Sequence, residues 1–333
     1  MSTVYGPVPS WRFGRSLGID VITPPKKCTF NCIYCQLGRT ALHIASPEEL
    51  DTSPVGVSDV VSDLDDFLER IDLNTVDQIT FSGTGEPTLN PELGKIAREV
   101  KKRIHGPPLA ILTNSSLFHR EKIIEDLQVF DIVVAKLDAG DDETLRFINR
   151  PASKTLNIKK IIHSIKELKR SFNGVLALEV MLLTTKNGEG GNMIGEPLKN
   201  LLDSIISVEP DLVQLEVPYR PTSESYVVQP TSETIKLISQ ELGKNLGEDK
   251  ILIYGIHDRR GRKVEWFEHR SLENDALNLL KRRPCRVLDI SESLGISLSD
   301  AKRLIQGLDE KSLIKTKIIK GEQYHQHCSP GRK

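Results

Sequence analysis

Aromatic side chains are scarce. Phe, Trp and Tyr make up 5% of the 333 residues, too few for a carbohydrate-binding or base-stacking module to be the starting reading. No apolar run approaches the ~18 residues that cross a bilayer as a helix. Met1 to Phe13 has no apolar stretch of the signal-peptide kind, so a cytoplasmic protein with no membrane partner is expected. Cysteine is sparse and odd in number. Of the five, Cys285 and Cys328 stand alone, and a disulfide framework is not expected in a chain of this size. Neither sign of charge prevails, with 45 Lys and Arg against 46 Asp and Glu. The balance is uneven along the chain: residues 281–333 hold 12 basic and 6 acidic side chains, leaving 33 against 40 elsewhere. A basic end of this kind points to nucleic acid or another anion as its partner.

Core-forming material is plentiful, with 38% hydrophobic residues, enough for two domains at this length. Short β-branched runs at 78–83, 109–114, 131–138, 175–184 and 212–218, with Ile19 to Thr23 before them, read as buried strands. Amphipathic helices separate them. Val57, Val60, Val61, Leu64, Phe67, Leu68 and Ile71 share one helical face, as do Leu93, Ile96, Ala97, Val100 and Ile104. Segments 156–170 and 194–207 follow suit. Six alternating strand–helix units predict an α/β fold with a parallel sheet and right-handed crossovers, an open arc two units short of a closed eight-fold barrel.

The alternation stops near residue 268, which divides the chain into 1–268 and 269–333. The second part reads as three helices and a hairpin, a winged helix. Its third helix carries Ala301, Leu304, Ile305 and Leu308 on one face, and Ser297-x-x-Asp300 resembles a capping box. Lys302, Arg303 and Gln306 on that helix, with Lys315, Lys317 and Lys320 on the hairpin, would meet phosphates. The same charges also suit a solvated face or a protein contact. His325, His327 and Cys328 read as a frayed tail, and Cys285 as a small core residue.

Cys28-Thr-Phe-Asn-Cys32-Ile-Tyr-Cys35 is the most informative segment. Three thiolates within eight residues select zinc or iron–sulfur. A structural zinc site wants four protein ligands, no fourth Cys is near, and His43 would be an unusual completion. On a cubane, three thiolates leave one iron open to a small molecule.

With Tyr34 before its last Cys, this C-x3-C-x2-C segment resembles the signature of the radical S-adenosylmethionine (SAM) superfamily. Ser82-Gly83-Thr84-Gly85-Glu86-Pro87 is similar to the superfamily's Gly-Gly-Glu-Pro loop, with Thr84 in place of the first Gly. The resemblance implies a partial (β/α)6 barrel and one 4Fe-4S cluster on Cys28, Cys32 and Cys35. It also implies reductive cleavage of SAM to methionine and a 5′-deoxyadenosyl radical, with an electron donor such as ferredoxin or flavodoxin. By the same resemblance Gly83, Thr84, Gly85 and Glu86 would bind the SAM amine, a cation suited to carbonyls and a carboxylate. Lys136 would pair with its carboxylate, and Asp138 or Asn114 would hold ribose or substrate. These residues end predicted strands, the rim where ligands of such sheets lie. Glu179 and Glu216 lie in later strands, as ligands or structural salt bridges.

The stretch Gly6-Pro7-Val8-Pro9-Ser10-x-Arg12-x-Gly14-x-Ser16-Leu17-Gly18, with Cys35-Gln36-Leu37-Gly38-Arg39-Thr40, resembles iron–sulfur oxidoreductases related to the tRNA wyosine synthases. That branch implies an RNA substrate. Wyosine synthases carry a second cluster on further N-terminal cysteines, which this chain lacks, so formation of the wyosine tricycle is not expected. Arg12 and Arg15 read as solvated arginines first, and as contacts to an anionic substrate second. Modification of a peptide or protein, including glycyl-radical activation, is the competing activity, and a cluster-sensing winged-helix regulator the competing class.

Overall fold

In a computed structural model, which describes residues 2–50, 54–188, 190–261, 263–269 and 271–328, seven of the described strands run parallel and in chain order. They are Gly14–Ile19, Gln78–Phe81, Leu109–Thr113, Ile132–Lys136, Val175–Met181, Leu212–Glu216 and Ile251–Ile253. An eighth, Val4–Ser10, pairs antiparallel with Gly14–Ile19 at one edge. The sheet curls into an open half-barrel. Its central strands are buried along nearly their whole length, as expected where helices cover one face and the barrel interior the other.

Three strands depart from the sequence reading, which does not include Val4–Ser10. The first parallel strand ends at Ile19 rather than beginning there. Asp20 then turns the chain, its carboxylate accepting from the N–H groups of Ile22 and Thr23, each at 3.1 Å. Glycines at 14 and 18 dilute the β-branched signal of this strand. Gly18 has a packing reason, because a Cβ there would lie 2.2 Å from the Tyr5 ring. The seventh strand, Ile251–Ile253, has three residues and is too short to show a periodicity.

The expected helices form at Val57–Leu68, Leu93–Arg103, Ile158–Ser171 and Gly195–Val208. Their apolar faces carry Val60, Leu64, Phe67, Ile96, Val100, Ile161 and Leu201 into one continuous core. No described helix is long and apolar enough to cross a membrane.

Beyond residue 270 come helices Leu272–Arg282, Val287–Leu294 and Leu298–Glu310, then the antiparallel strands Ile314–Ile319 and Glu322–His327. Ser297 Oγ accepts from the N–H of Asp300 at 3.1 Å, capping the third helix. The core of this unit contains Cys285, Ile290, Ala301, Ile305 and Leu308, and also Tyr5 and Val8 from the N-terminal hairpin. The unit is therefore clamped onto the first strand of the chain. Arg282 Nε reaches the Asp20 carboxylate at 3.0 Å with both side chains almost wholly buried, and Arg282 Nη2 donates to the Ser2 carbonyl at 2.7 Å. The hairpin expected at Lys315–Ile319 and Gln323–His327 forms, and the frayed-tail reading of His325 and His327 is corrected. His325 is buried in a strand and exchanges two backbone hydrogen bonds with Cys285, at 2.7 and 2.9 Å.

Candidate active site

The cysteine loop leaves the sheet after Ile19 and crosses the mouth of the half-barrel. Lys27–Cys28 pairs in parallel with Leu42–His43, which closes the loop on itself; the His43 side chain is exposed and no fourth ligand. On its other side the loop meets the Gly83–Glu86 turn. Lys27 N–H donates to the Thr84 carbonyl at 3.2 Å, and Glu86 N–H to the Lys27 carbonyl at 3.0 Å. This approach requires glycine at 85, because a Cβ there would sit 1.8 Å from the Lys27 carbonyl oxygen. Gly85→Ala should therefore push the two loops apart. Iron content and SAM affinity should both fall, and full retention of both would show that the turn tolerates the shift.

Cys28, Cys32 and Cys35 line a cavity of about 250 Å³ together with Tyr34, Gly85, Glu86, Asn114 and Lys136. Three of the expected residues lie behind that wall. Gly83 packs on Asp20, and Thr84 Oγ1 donates to the same carboxylate at 2.7 Å. Asp138 is fully buried and accepts from Tyr34 Oη, from Asn149 Nδ2 at 2.7 Å and from Met181 N–H at 2.8 Å. Its observed work is to tether the cysteine loop, through Tyr34, to the end of the fourth parallel strand.

Burial pushes the Cys28 thiol well up and the Cys32 thiol up to about 11. Donors already surround these sulfurs. Lys26 Nζ lies 3.1 Å from Cys35 Sγ, Asn114 Nδ2 3.5 Å from Cys28 Sγ and Asn149 Nδ2 3.6 Å from Cys32 Sγ. Lys26 is disfavoured as a cation by burial, but the neighbouring cysteines outweigh this and raise it overall. Lys26 and Asn149 carry no motif of their own. Only its position two residues before Cys28 hints at Lys26.

Glu86 is 2% exposed. One carboxylate oxygen accepts from Thr88 N–H at 3.1 Å and from the Thr88 and Thr113 hydroxyls, both at 2.6 Å; the other accepts from Asn114 N–H at 2.7 Å. Burial raises its pKa against these hydrogen bonds. Among the described residues it forms no ion pair. A buried carboxylate aimed at a cavity with no cation beside it is an incomplete pair.

The same cavity is lined by an ion-pair network, in which Lys136 Nζ has no well-aligned hydrogen bond. Lys136 Nζ pairs with Glu179 at 2.6 Å and sits 5.1 Å above the Tyr34 ring. Arg12 also pairs with Glu179 and meets Gln214 at 2.9 Å and Glu216 at 3.5 Å, and Trp11 Nε1 donates to Glu216 at 3.1 Å. Burial opposes the charge on Glu179, but Arg12 and Lys136 overcome it and hold the carboxyl well below its ordinary range. The expectation of a solvated Arg12 is thus corrected, since its partners lie on distant strands. Arg15 pairs with Asp77 at 3.0 Å and is also largely buried.

A family model described as the radical SAM superfamily matches residues 22–190, a span that holds the cysteine loop, the glycine turn, Asn114, Lys136 and Asp138. The chain belongs to the radical SAM superfamily. As such it is an enzyme, and the thiol-lined cavity is its candidate centre. A UPF0026 protein of Methanocaldococcus jannaschii is 32% identical over 95% of this chain and 93% of its own length. A protein named GTPase Obg from Brachyspira hyodysenteriae is 33% identical over 96% of this chain, which spans only 44% of that relative. The solved structure of native anSMEcpe with bound AdoMet aligns with a TM-score of 0.47 at 15% identity, covering 72% of this chain and 63% of that one.

Proposed function

We propose that this protein cleaves SAM reductively at one 4Fe-4S cluster held by Cys28, Cys32 and Cys35, and that its substrate is an RNA. The observation that carries the first part is the unpaired, buried Glu86 carboxylate facing the same cavity as the three thiols. The donor set fits the cluster. Cys28, Cys32 and Cys35 line one cavity, each with an N–H donor facing its sulfur, and thiolates are the ligands that iron–sulfur clusters take. When bound, the cluster supplies one electron to SAM, releasing methionine and a 5′-deoxyadenosyl radical.

The chain's own residues do the rest. Cys28, Cys32 and Cys35 bind as thiolates, and the N–H donors of Lys26, Asn114 and Asn149 favour the charged sulfurs. Glu86, held rigid by Thr88, Thr113 and the Asn114 N–H, orients the SAM ammonium by a charge-assisted contact. Lys136 and Arg12 are fixed by Glu179 and Glu216, so this wall keeps its shape without a ligand. A redox sensor would have no use for an unpaired Glu86 beside the thiols. The electron would come from a ferredoxin or flavodoxin. With dithionite in place of that donor, the anaerobically reconstituted protein should release methionine and 5′-deoxyadenosine; their absence would overturn the reading.

Support for RNA comes from the C-terminal unit. Lys302, Arg303 and Gln306 on helix Leu298–Glu310, and Lys315, Lys317 and Lys320 on the hairpin, are all exposed. Among the described residues, Arg303 is the one of these cations in an ion pair, with Asp300. Changing Lys302, Arg303, Lys315 and Lys317 to Gln should weaken binding of bulk tRNA and flatten its salt dependence, by about 3 in the log–log slope. Gel shifts at several salt concentrations measure this. Salt-insensitive binding, or none, would remove RNA as the substrate.

A further inference from the structure

Four arginines and no acidic side chain line a second cavity, of about 130 Å³, next to the thiol-lined one. It lies between the N-terminal hairpin, the interior of the half-barrel and helix Leu272–Arg282 with the residue that follows it. Two of the four charges are already neutralised, Arg12 by Glu179 and Glu216 and Arg282 by Asp20. The other two are in no direct ion pair, although the Asp289 and Glu216 carboxylates favour the charge on Arg220 from further off. Among the described residues Arg220 and Arg283 form no ion pair, and the Nε of each is buried with no hydrogen-bond partner.

Both are held in place by neutral groups. Arg220 Nη1 donates to Gln36 Oε1 at 3.1 Å, and its guanidinium lies 4.4 Å from the Tyr219 ring centre. Arg283 is 8% exposed and makes one long contact, 3.4 Å from Nη2 to the Pro9 carbonyl. Burying guanidinium charge without a counter-ion is unfavourable, and planar N–H donors with free positions match a carboxylate or phosphate. Arg220 lines both cavities, so a group bound here would lie beside the proposed SAM site. The cysteines and Glu86 are not part of this second wall.

We propose that this cavity binds one anionic group of the substrate, a carboxylate or a phosphate, between Arg220 and Arg283. The C-terminal unit would then contribute directly to substrate recognition in the barrel. Calling the ligand a substrate rests on the radical SAM reading above; the anion site does not.

The test uses the reconstituted full-length chain with Trp266→Phe, which leaves Trp11, in the wall of this cavity, as the fluorescent reporter. Inorganic phosphate and propionate are titrated separately against chloride at constant ionic strength. A saturable change in Trp11 emission with either anion supports the site and identifies the group it takes. Its affinity should fall about tenfold or more in Arg283→Gln and in Arg220→Gln, and stay at the parental value in Lys236→Gln, an exposed control on helix Ser232–Leu246. Arg283→Lys and Arg220→Lys keep charge and bulk, and should lose less than the Gln variants. That ordering guards against a folding defect. A response no different from chloride, or parental affinity in both Gln variants, would overturn the proposal. SAM cleavage is followed in the same samples. Anion binding without 5′-deoxyadenosine would keep the site and discard the radical reading, while 5′-deoxyadenosine without anion binding would do the reverse.

Discussion

Cys32→Ala should release no measurable 5′-deoxyadenosine under conditions where the parent protein does. Two thiolates cannot hold a cubane with one iron left for SAM, and the Asn149 amide would lose one of its acceptors. Asn149 would still donate to Asp138, and the loss should be complete rather than graded, because the missing group is a cluster ligand and not an adjuster of its environment. Cys328→Ser, at a half-buried position beyond the last strand, should retain cluster and activity and so control for loss of a thiol as such. Anaerobic turnover with dithionite, read by chromatography of the nucleoside, makes the comparison. Persistent 5′-deoxyadenosine in Cys32→Ala would remove this cysteine from the site.

Arg282→Met should destabilise the protein by about 3–5 kcal/mol, the range for removing one partner of a buried ion pair. The Asp20 carboxylate would be left in the core with hydrogen bonds from Ile22, Thr23 and Thr84 but no cation. The effect should reach the site, because Asp20 joins the end of the first parallel strand to the glycine turn. A lower urea midpoint together with weaker SAM binding is expected. Asp20→Asn should resemble it, and the double variant should lose clearly less than the sum of the two, the mark of residues in direct contact. Additive losses would mean that the pair contributes little as a pair.

What was legible in the residues alone was local. The three cysteines fall within eight positions, Gly83 to Glu86 within four, and the helices repeat their apolar residues every three to four. Each signal depends on near neighbours in the chain. What escaped depended on distant ones. Arg12 reads as a surface arginine until Glu179 and Glu216, from the fifth and sixth parallel strands, are folded against it. Asp138 reads as a ligand because it ends a strand, yet its oxygens are occupied by Tyr34, Asn149 and the Met181 amide. Asp20 and Arg282 are 262 positions apart, and no spacing rule connects them. His325 is held by Thr316 across its own hairpin and also by Cys285, a partner far away in the chain.

Mössbauer spectroscopy of protein reconstituted with 57Fe tests the central claim most directly, because it counts clusters and distinguishes their irons. One 4Fe-4S cluster per chain is expected, with SAM altering the signal of one iron in four. Two cubanes per chain, a stable zinc site in place of iron, or a spectrum indifferent to SAM would contradict it.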